Sequence, residues 1–376
     1  MKRIGIIGGG QLAWMMADAA QKLDVELVVQ TPNVDDPAVA IAHSTIFASV
    51  DDTEATAKLA TQCETITFEN EFVNLAALSV LAKQGVNFRP SLTTLAPLLD
   101  KYHQRCYLRD LGLPVPRFVA LEGGGEERIL SQFGFPVVLK ARRHGYDGQG
   151  TFIIKNIDEF PAIDEETQFL LEEFVPFERE LAIVAARGVS GEVKTYPIVE
   201  TQQESQVCRR VFVPADLTNE LTAEIEALAH TLLNSLQAVG IFGIELFLSQ
   251  GKVLVNEIAP RTHNSGHFSL DASVTSQFEQ HLRAVCGLPL GDPNLNCGAA
   301  VMVNLLGYEN SHSDYQAKRL SLAQIPQAHL HWYGKTESRL GRKLGHVTVL
   351  LNQPLQAEAM AIAREVESIW YGEIQS

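Results

Sequence analysis

Two glutamates offer the sharpest chemistry in this chain. Glu245 lies in the apolar run Gly243-Ile244-Glu245-Leu246-Phe247, and Glu257 in Val253-Leu254-Val255-Asn256-Glu257-Ile258, with a turn over 249–252 between them. Folding a hairpin about that turn brings the two carboxylates together. Buried side by side, they repel unless a cation lies between them. Mg²⁺ suits such a pair, because it takes one or two carboxylates and keeps positions for phosphate oxygens, and the Asn256 amide adds another oxygen. The bland alternative is one exposed and one salt-bridged glutamate. Lys140 poses a similar question inside Val137-Val138-Leu139-Lys140-Ala141. An ammonium in such a run must reach water, a partner or a ligand. The stretch after it, 142–150, carries Gly145, Gly148 and Gly150 around Tyr146, Asp147 and Gln149 and leads to Thr151. Its backbone N–H groups can close over phosphates; the alternative is an exposed hairpin with a solvated lysine. Further on, Glu172-Glu173-Phe174-Val175 precedes Pro176, a strand running into a bend that can present backbone groups to an adenine edge. Glu180 opens the next apolar run and can accept hydrogen bonds from ribose hydroxyls.

These groups need elements to hold them. Residues 2–7 read as a buried strand, Gly8 to Gly10 as a turn, and 11–22 as a helix. Strands at 26–30 and 65–68 complete an alternation that implies a parallel sheet covered by helices. Gly8-x-Gly10-x-x-Ala13 fits the dinucleotide fingerprint, but NAD also calls for an acid at the end of the second strand, which here reads Val28-Val29-Gln30-Thr31. That leaves two readings for the loop, a phosphate-bearing substrate beside it or a tight structural turn. Residues 98–113 read as a helix. Strands at 136–141 and 151–155 flank the glycine loop like a lid, followed by a strand at 169–173 and a long helix near 222–237. In the last helix Ala359, Ile362, Ala363, Val366, Ile369 and Trp370 share one face, which is core packing. The pattern divides into a first domain over 1–97, a second over 98–293 with its lid at about 114–176, and a third over 294–376.

The bulk properties narrow the class. A formal net charge of −15 over 376 residues argues against a general nucleic-acid or membrane-surface binder, because phosphate surfaces require basic ones. The five cysteines include no C-x-x-C pair, so they suggest a reducing cytoplasm rather than a zinc ribbon. No run approaches the roughly 18–20 apolar residues that a membrane span needs. The N-terminal stretch, interrupted by its glycines, Gln11 and Asp18, reads as mature structure rather than a leader.

Lys140, the glycine loop, Glu172, Glu180 and the Glu245/Asn256-Glu257 pair occur in an order that resembles the ATP-grasp superfamily. Within it, five segments resemble the N5-carboxyaminoimidazole ribonucleotide synthases over nearly the whole chain. They are Gly8-Gly9-Gly10-Gln11-Leu12, Thr67-Phe68-Glu69, the stretch 143–150, the stretch from Asn256 through Pro260-Arg261-Thr262-His263-Asn264-Ser265-Gly266-His267, and Tyr333-Gly334-Lys335 with Gly341-Arg342-Lys343-Leu344-Gly345-His346. The resemblance implies a mixed α/β and α+β architecture: an ATP-grasp fold with an N-terminal Rossmann-like domain, a central lid subdomain and a small C-terminal domain. It implies ATP with Mg²⁺, two ions in all, and ATP-dependent carboxylation of 5-aminoimidazole ribonucleotide by bicarbonate through carboxyphosphate, in purine biosynthesis and in a homodimer.

Residue by residue, the resemblance assigns Lys101 and Lys140 to phosphates, 145–151 to the lid, Glu172, Glu173, Phe174 and Val175 to adenine, Glu180 to ribose and Gln203 to the nucleotide. Glu245 and Glu257 would hold metal with Asn256 beside them. Arg261, His263 and Asn264 fall to bicarbonate and carboxyphosphate. Lys335, Arg342 and Lys343 suit the ribonucleotide phosphate, since guanidinium forks and ammonium groups match its oxygens; Lys335 also counts among the catalytic candidates. Gln11, Glu69, Tyr146 and Asp147 would meet the substrate. The chain departs from the family pattern at Ala13-Trp14, where Gly-Arg is common, at Asn70, where Phe is common, and at Gln203, where some relatives carry histidine.

Overall fold

The computed structural model describes residues 1–121, 126–143, 150–160 and 168–372. The N-terminal sheet is parallel, with the strands in the order Ser44–Phe47, Val25–Thr31, Lys2–Ile7 and Thr65–Phe68. Lys2–Ile7 occupies an inner position, as its run Ile4-Gly5-Ile6-Ile7 demands, and Ile4, Ile6 and Ile7 are fully buried. The expected helix over 11–22 forms in two pieces, Gln11–Trp14 and Ala17–Lys22, because the chain turns at Met15 and Met16, where the Met16 N–H bonds back three residues to Ala13. Both methionines pack into the N-terminal core.

A small antiparallel sheet comes next, ordered Phe118–Leu121, Phe169–Glu173, Val137–Ala141 and Thr151–Ile154. It places Lys140 opposite Thr151, at the root of the glycine loop. Residues 144–149 of that loop, including the lid candidates Gly145, Tyr146, Asp147, Gly148 and Gln149, lie outside the described residues.

The largest sheet has nine strands. Its main path runs from Lys252–Ala259 through Gly240–Ser249, Arg179–Arg187, Val199–Glu204, Val207–Val213, Ala299–Leu306 and Lys343–Leu351 to Ala328–Trp332. The sheet crosses the stretch 289–293 without a break, since Val207–Val213 pairs antiparallel with Ala299–Leu306. One face of its first half packs on the helix Asn219–Ser235, and the C-terminal end packs on Gln356–Tyr371. Of the apolar stripe in that last helix, Ala359, Ala363, Val366 and Trp370 are buried, while Ile362 and Ile369 pack at its rim.

Candidate active site

The three sheets surround one cleft of about 1610 Å³, lined from Gly10 and Gln11 at one side to Lys343 at the other. The hairpin Gly240–Ser249/Lys252–Ala259 forms part of its floor and sets Glu245 directly opposite Glu257 in register, with a bulge immediately after Glu245. The two residues face each other as the sequence demands, but they are not buried: their side chains are 30% and 41% exposed and line the cleft. Their exposure has a local cause, because strand alternation turns both side chains off the packed face. Each already has a partner. Glu257 accepts from the Lys101 ammonium at 2.6 Å, and Glu245 accepts from the Asn256 amide at 3.2 Å and lies 3.4 Å from His263 Nε2. An all-oxygen set from two carboxylates and one amide, with a cation already drawn onto Glu257, fits a Mg²⁺ ion.

Beside this hairpin runs a buried charge network. Lys140 Nζ lies 2.8 Å from Glu172 and donates to Asn256 Oδ1 at 3.1 Å. Glu172 also accepts from Arg105, whose other nitrogen donates to the Asn256 carbonyl at 2.6 Å. Burial pushes the Glu172 carboxyl up, but the Arg105 and Lys140 cations outweigh it and hold the group at about 2. Burial likewise lowers Lys140, with Glu172 opposing the shift. Glu172 sits within its strand, paired with Phe118 on one side and Val138 on the other, and its carboxylate fixes the lysine. Glu173 ends the strand, its carboxylate taken by Arg117 at 2.7 Å, and Phe174 and Val175 form the bend that borders the cleft. Glu180 and Gln203 reach the same wall from adjacent strands. Burial, and then the charge of Glu245, raise the Glu180 carboxyl to about 7.

Sequence reading missed Arg105 and Asp100. Helical spacing held the signal for the first, because residues 101 and 105 lie on one face four apart. Asp100 caps the helix Lys101–Asp110 through the N–H groups of Tyr102 and His103 and accepts from Arg142, while the Lys101 N–H donates to the Arg142 carbonyl at 2.9 Å. The helix start and the root of the glycine loop are thus joined. Gly150 follows at φ +77°, a left-handed position that favours glycine, and its carbonyl accepts from the Ala141 N–H at 2.7 Å.

At the opposite end, the N-terminal loop meets the C-terminal strands. Lys335 Nζ donates to Gln11 Oε1 and to the Lys343 carbonyl, each at 2.7 Å. Arg342 donates to the Glu337 carbonyl at 2.9 Å. Glu69 is wedged against the first glycine turn, where a side chain at Gly10 would collide with its carboxylate, and burial raises its pKa. Close packing by Glu69 is thus a direct reason for glycine there. Trp14, at the family's arginine position, packs edge-on against Tyr333 with ring centroids 6.4 Å apart. Arg261 pairs with Glu71 at 2.9 Å, and His263 Nδ1 meets Ser265 Oγ at 2.8 Å. Asn264 lines the cleft, but its amide is engaged in a reciprocal pair with Asn304, at 3.0 and 2.8 Å. That engagement, invisible over forty residues of sequence, sets Asn264 apart from its two neighbours.

Comparison with known proteins accounts for every module of this cleft. The ATP-grasp domain model matches residues 106–278, the ribonucleotide synthetase preATP-grasp domain 1–97, and the phosphoribosylaminoimidazole carboxylase C-terminal domain 300–360. The N5-carboxyaminoimidazole ribonucleotide synthase of Synechococcus elongatus is 53% identical over 378 residues, covering 98% of this chain and 96% of its own. The chain belongs to the N5-carboxyaminoimidazole ribonucleotide synthase family. Among solved structures, the N5-carboxyaminoimidazole ribonucleotide synthetase of Thermotoga maritima superposes with a TM-score of 0.87 at 39% identity, over 97% of this chain and 98% of that one. The Aspergillus clavatus N5-carboxyaminoimidazole synthase, solved with ADP and 5-aminoimidazole ribonucleotide, reaches 0.90 at 28% identity over 98% of both chains. The fold of this synthase-family chain is the ATP-grasp fold, with the preATP-grasp unit before it and the carboxylase C-terminal unit after it. Among the described residues no helix is long and apolar enough to cross a membrane.

Proposed function

We propose that this chain is the ATP-dependent ligase that carboxylates 5-aminoimidazole ribonucleotide to N5-carboxyaminoimidazole ribonucleotide in purine biosynthesis. Bicarbonate is the carbon source. The observation that carries the reading is the cleft itself: a lysine–carboxylate network and a facing glutamate pair at one end, and Lys335, Arg342 and Lys343 at the other, within one cavity.

In this reading Lys140 and Lys101 take the ATP phosphates, with 145–151 as the lid over them. Glu173, Phe174 and Val175 border the adenine, with Glu172 acting through Lys140, and Glu180 and Gln203 face the ribose side. Glu245 and Glu257, with Asn256, would hold Mg²⁺, which supplies charge neutralisation for the transferring phosphoryl group. A bicarbonate oxygen attacks the γ-phosphorus and ADP leaves. Arg261 and His263, one strand-end away from Glu257, hold the resulting carboxyphosphate, and Asn264 supports that segment through Asn304. The exocyclic amine then attacks the carboxyl carbon, a C–N bond forms, phosphate leaves and the amine gives up a proton. Lys335, Arg342 and Lys343 anchor the ribonucleotide phosphate, while Gln11, Glu69, Tyr146 and Asp147 orient its base and ribose. Water must be kept from carboxyphosphate throughout, which is the task of a closed lid. The proposed domain limits are 1–97, 98–293 and 294–376, in a cytoplasmic homodimer; five free cysteines agree with a reducing compartment.

The test is ADP release by purified protein with MgATP and bicarbonate, with and without 5-aminoimidazole ribonucleotide. Strong stimulation by the ribonucleotide is expected. Turnover that ignores it would keep the ligase and discard the acceptor.

A further inference from the structure

Away from the glutamate hairpin, the C-terminal strands carry a second group of metal-competent side chains. His331 and His346 stand directly opposite each other on the antiparallel strands Ala328–Trp332 and Lys343–Leu351, so their side chains leave the same face of the sheet. Their rings lie 4.6 Å apart, centroid to centroid, and nearly parallel, at 15°. The short helix Ser269–Ala272 packs against this strand pair and brings Asp271 in front of both rings. Asp271 Oδ2 is 2.9 Å from His331 Nε2, and one donor atom from each of the three residues lies within 4.8 Å of the other two.

His346 supplies the second, independent observation. It is fully buried, its Nδ1 meets the Tyr333 hydroxyl at 2.8 Å, and its Nε2 is buried with no hydrogen-bond partner. A buried ring nitrogen left unmatched is costly, unless something binds it. The Tyr333 bond is also the kind of outer contact that fixes the orientation of a liganding histidine and leaves its other nitrogen for the ion.

We propose that Asp271, His331 and His346 form a zinc site, distinct from the magnesium site inferred at Glu245 and Glu257. Two imidazoles and a carboxylate select Zn²⁺ or a similar transition-metal ion over Mg²⁺, which prefers oxygen ligands. Donors around a tetrahedral ion with bonds of about 2.0–2.1 Å sit about 3.3 Å apart, so donors at the 4.8 Å limit close by at most about 1.5 Å on binding. The fourth position is open to water or to His329, whose Nδ1 is already 3.5 Å from Asp271 Oδ1. The ion would clamp the strands that flank Lys335 and begin at Lys343 onto the segment that follows His267. On the proposed function, losing it weakens ribonucleotide binding more than ATP binding.

The binding test is independent of that function. Tag-free, full-length protein is stripped with a chelator, then titrated with Co²⁺ and Zn²⁺ in excess Mg²⁺, which competes for all-oxygen sites but poorly for imidazoles. One equivalent of Co²⁺ with the visible absorption of a four-coordinate ion is expected, displaced by Zn²⁺, with a rise in Tm. Asp271→Asn and His331→Gln, both at partly exposed positions, should keep the wild-type circular dichroism spectrum and lose at least tenfold in affinity for either ion. No saturable uptake by the wild-type protein, or equal uptake by the two variants, overturns the proposal.

Discussion

The two ends of the cleft hold their cations in different ways. At the nucleotide end, Lys140 and Lys101 rest on carboxylates, Glu172 and Glu257, within 2.8 and 2.6 Å. At the other end, Lys335 and Arg342 are positioned by an amide oxygen and by backbone carbonyls. The first arrangement keeps its shape before any ligand arrives, but on the proposed function the metal would have to displace the Lys101 ammonium from Glu257. In the second, neutral acceptors, an amide oxygen and main-chain carbonyls, take the hydrogen bonds that aim Lys335 and Arg342. An end that shares its cations with carboxylates responds to substitution through stability as well as catalysis. On the proposed function, an end whose cations face the substrate phosphate responds mainly through substrate affinity.

Substitutions can break this contrast, beginning with the largest effect. Glu257→Gln removes the charge that Lys101 now neutralises and that the metal would need. Turnover should fall by about 10³-fold, the scale of losing one preorganised charge-stabilising group, with the far-ultraviolet spectrum unchanged; near-normal activity would take Glu257 out of the metal site. Glu172→Gln leaves Lys140 and Arg105 buried without their counter-charge. Denaturant unfolding should register a loss of about 3–5 kcal/mol, the usual result of breaking a buried pair from one side. A loss under about 1 kcal/mol, the range of exposed pairs, would show that the network is solvent-screened. Arg342→Ala tests the opposite end. KM for the ribonucleotide should rise about 10–100-fold, the loss of a charge-assisted contact worth about 1.5–3 kcal/mol, while KM for ATP and the unfolding midpoint barely move. Equal shifts in both KM values would move the phosphate site elsewhere.

The smallest effect concerns the tie behind the second end. His281 Nδ1 accepts from the Ile241 N–H at 3.2 Å, and its Nε2 lies 2.8 Å from Thr67 Oγ1, joining the strand that leads to Glu69 to the large sheet. Burial lowers its pKa to about 4. The folded imidazole resists a proton that the unfolded chain accepts near 6.5, so this group's stabilising contribution is complete above about pH 6.5 and fades as pH falls toward 4. His281→Gln should flatten that part of the stability–pH profile relative to wild type; an unchanged slope would exclude His281 as its source.

The sequence makes the strands that carry the site legible, although the contacts between them, such as Lys101 with Glu257, join residues far apart in the chain. The strands Thr65–Phe68 and Phe169–Glu173 and the hairpin about 249–252 follow directly from apolar runs and turn residues. Local pattern cannot tell a buried face from a cleft-facing one, so Glu245 and Glu257 read as buried when they are half open. Nor does it distinguish a glutamate that touches a ligand from one that holds a lysine, as Glu172 does. The end of the cleft proposed for the ribonucleotide is assembled across the whole chain: Gln11 and Lys335 are 324 residues apart. No periodicity encodes such a contact, and only the resemblance to a family pointed to both residues. The Asn264–Asn304 pair lay beyond either kind of reading, since it depends on how the turn at Asn264–Gly266 meets the strand Ala299–Leu306.

The continuity of that sheet has a consequence for dissecting the protein. Val207–Val213 gives its outer edge to Ala299–Leu306. Cutting the chain near 294 would not release an independent cassette; it would bare the strand edge that Arg210, Val211, Phe212 and Val213 now give to the C-terminal strand, and the last three of these are buried in the intact chain. Open strand edges of this kind recruit other strands. The truncated protein should therefore self-associate in light scattering, at concentrations where the full chain scatters as a defined particle, with Arg210 as the single charged residue along that edge.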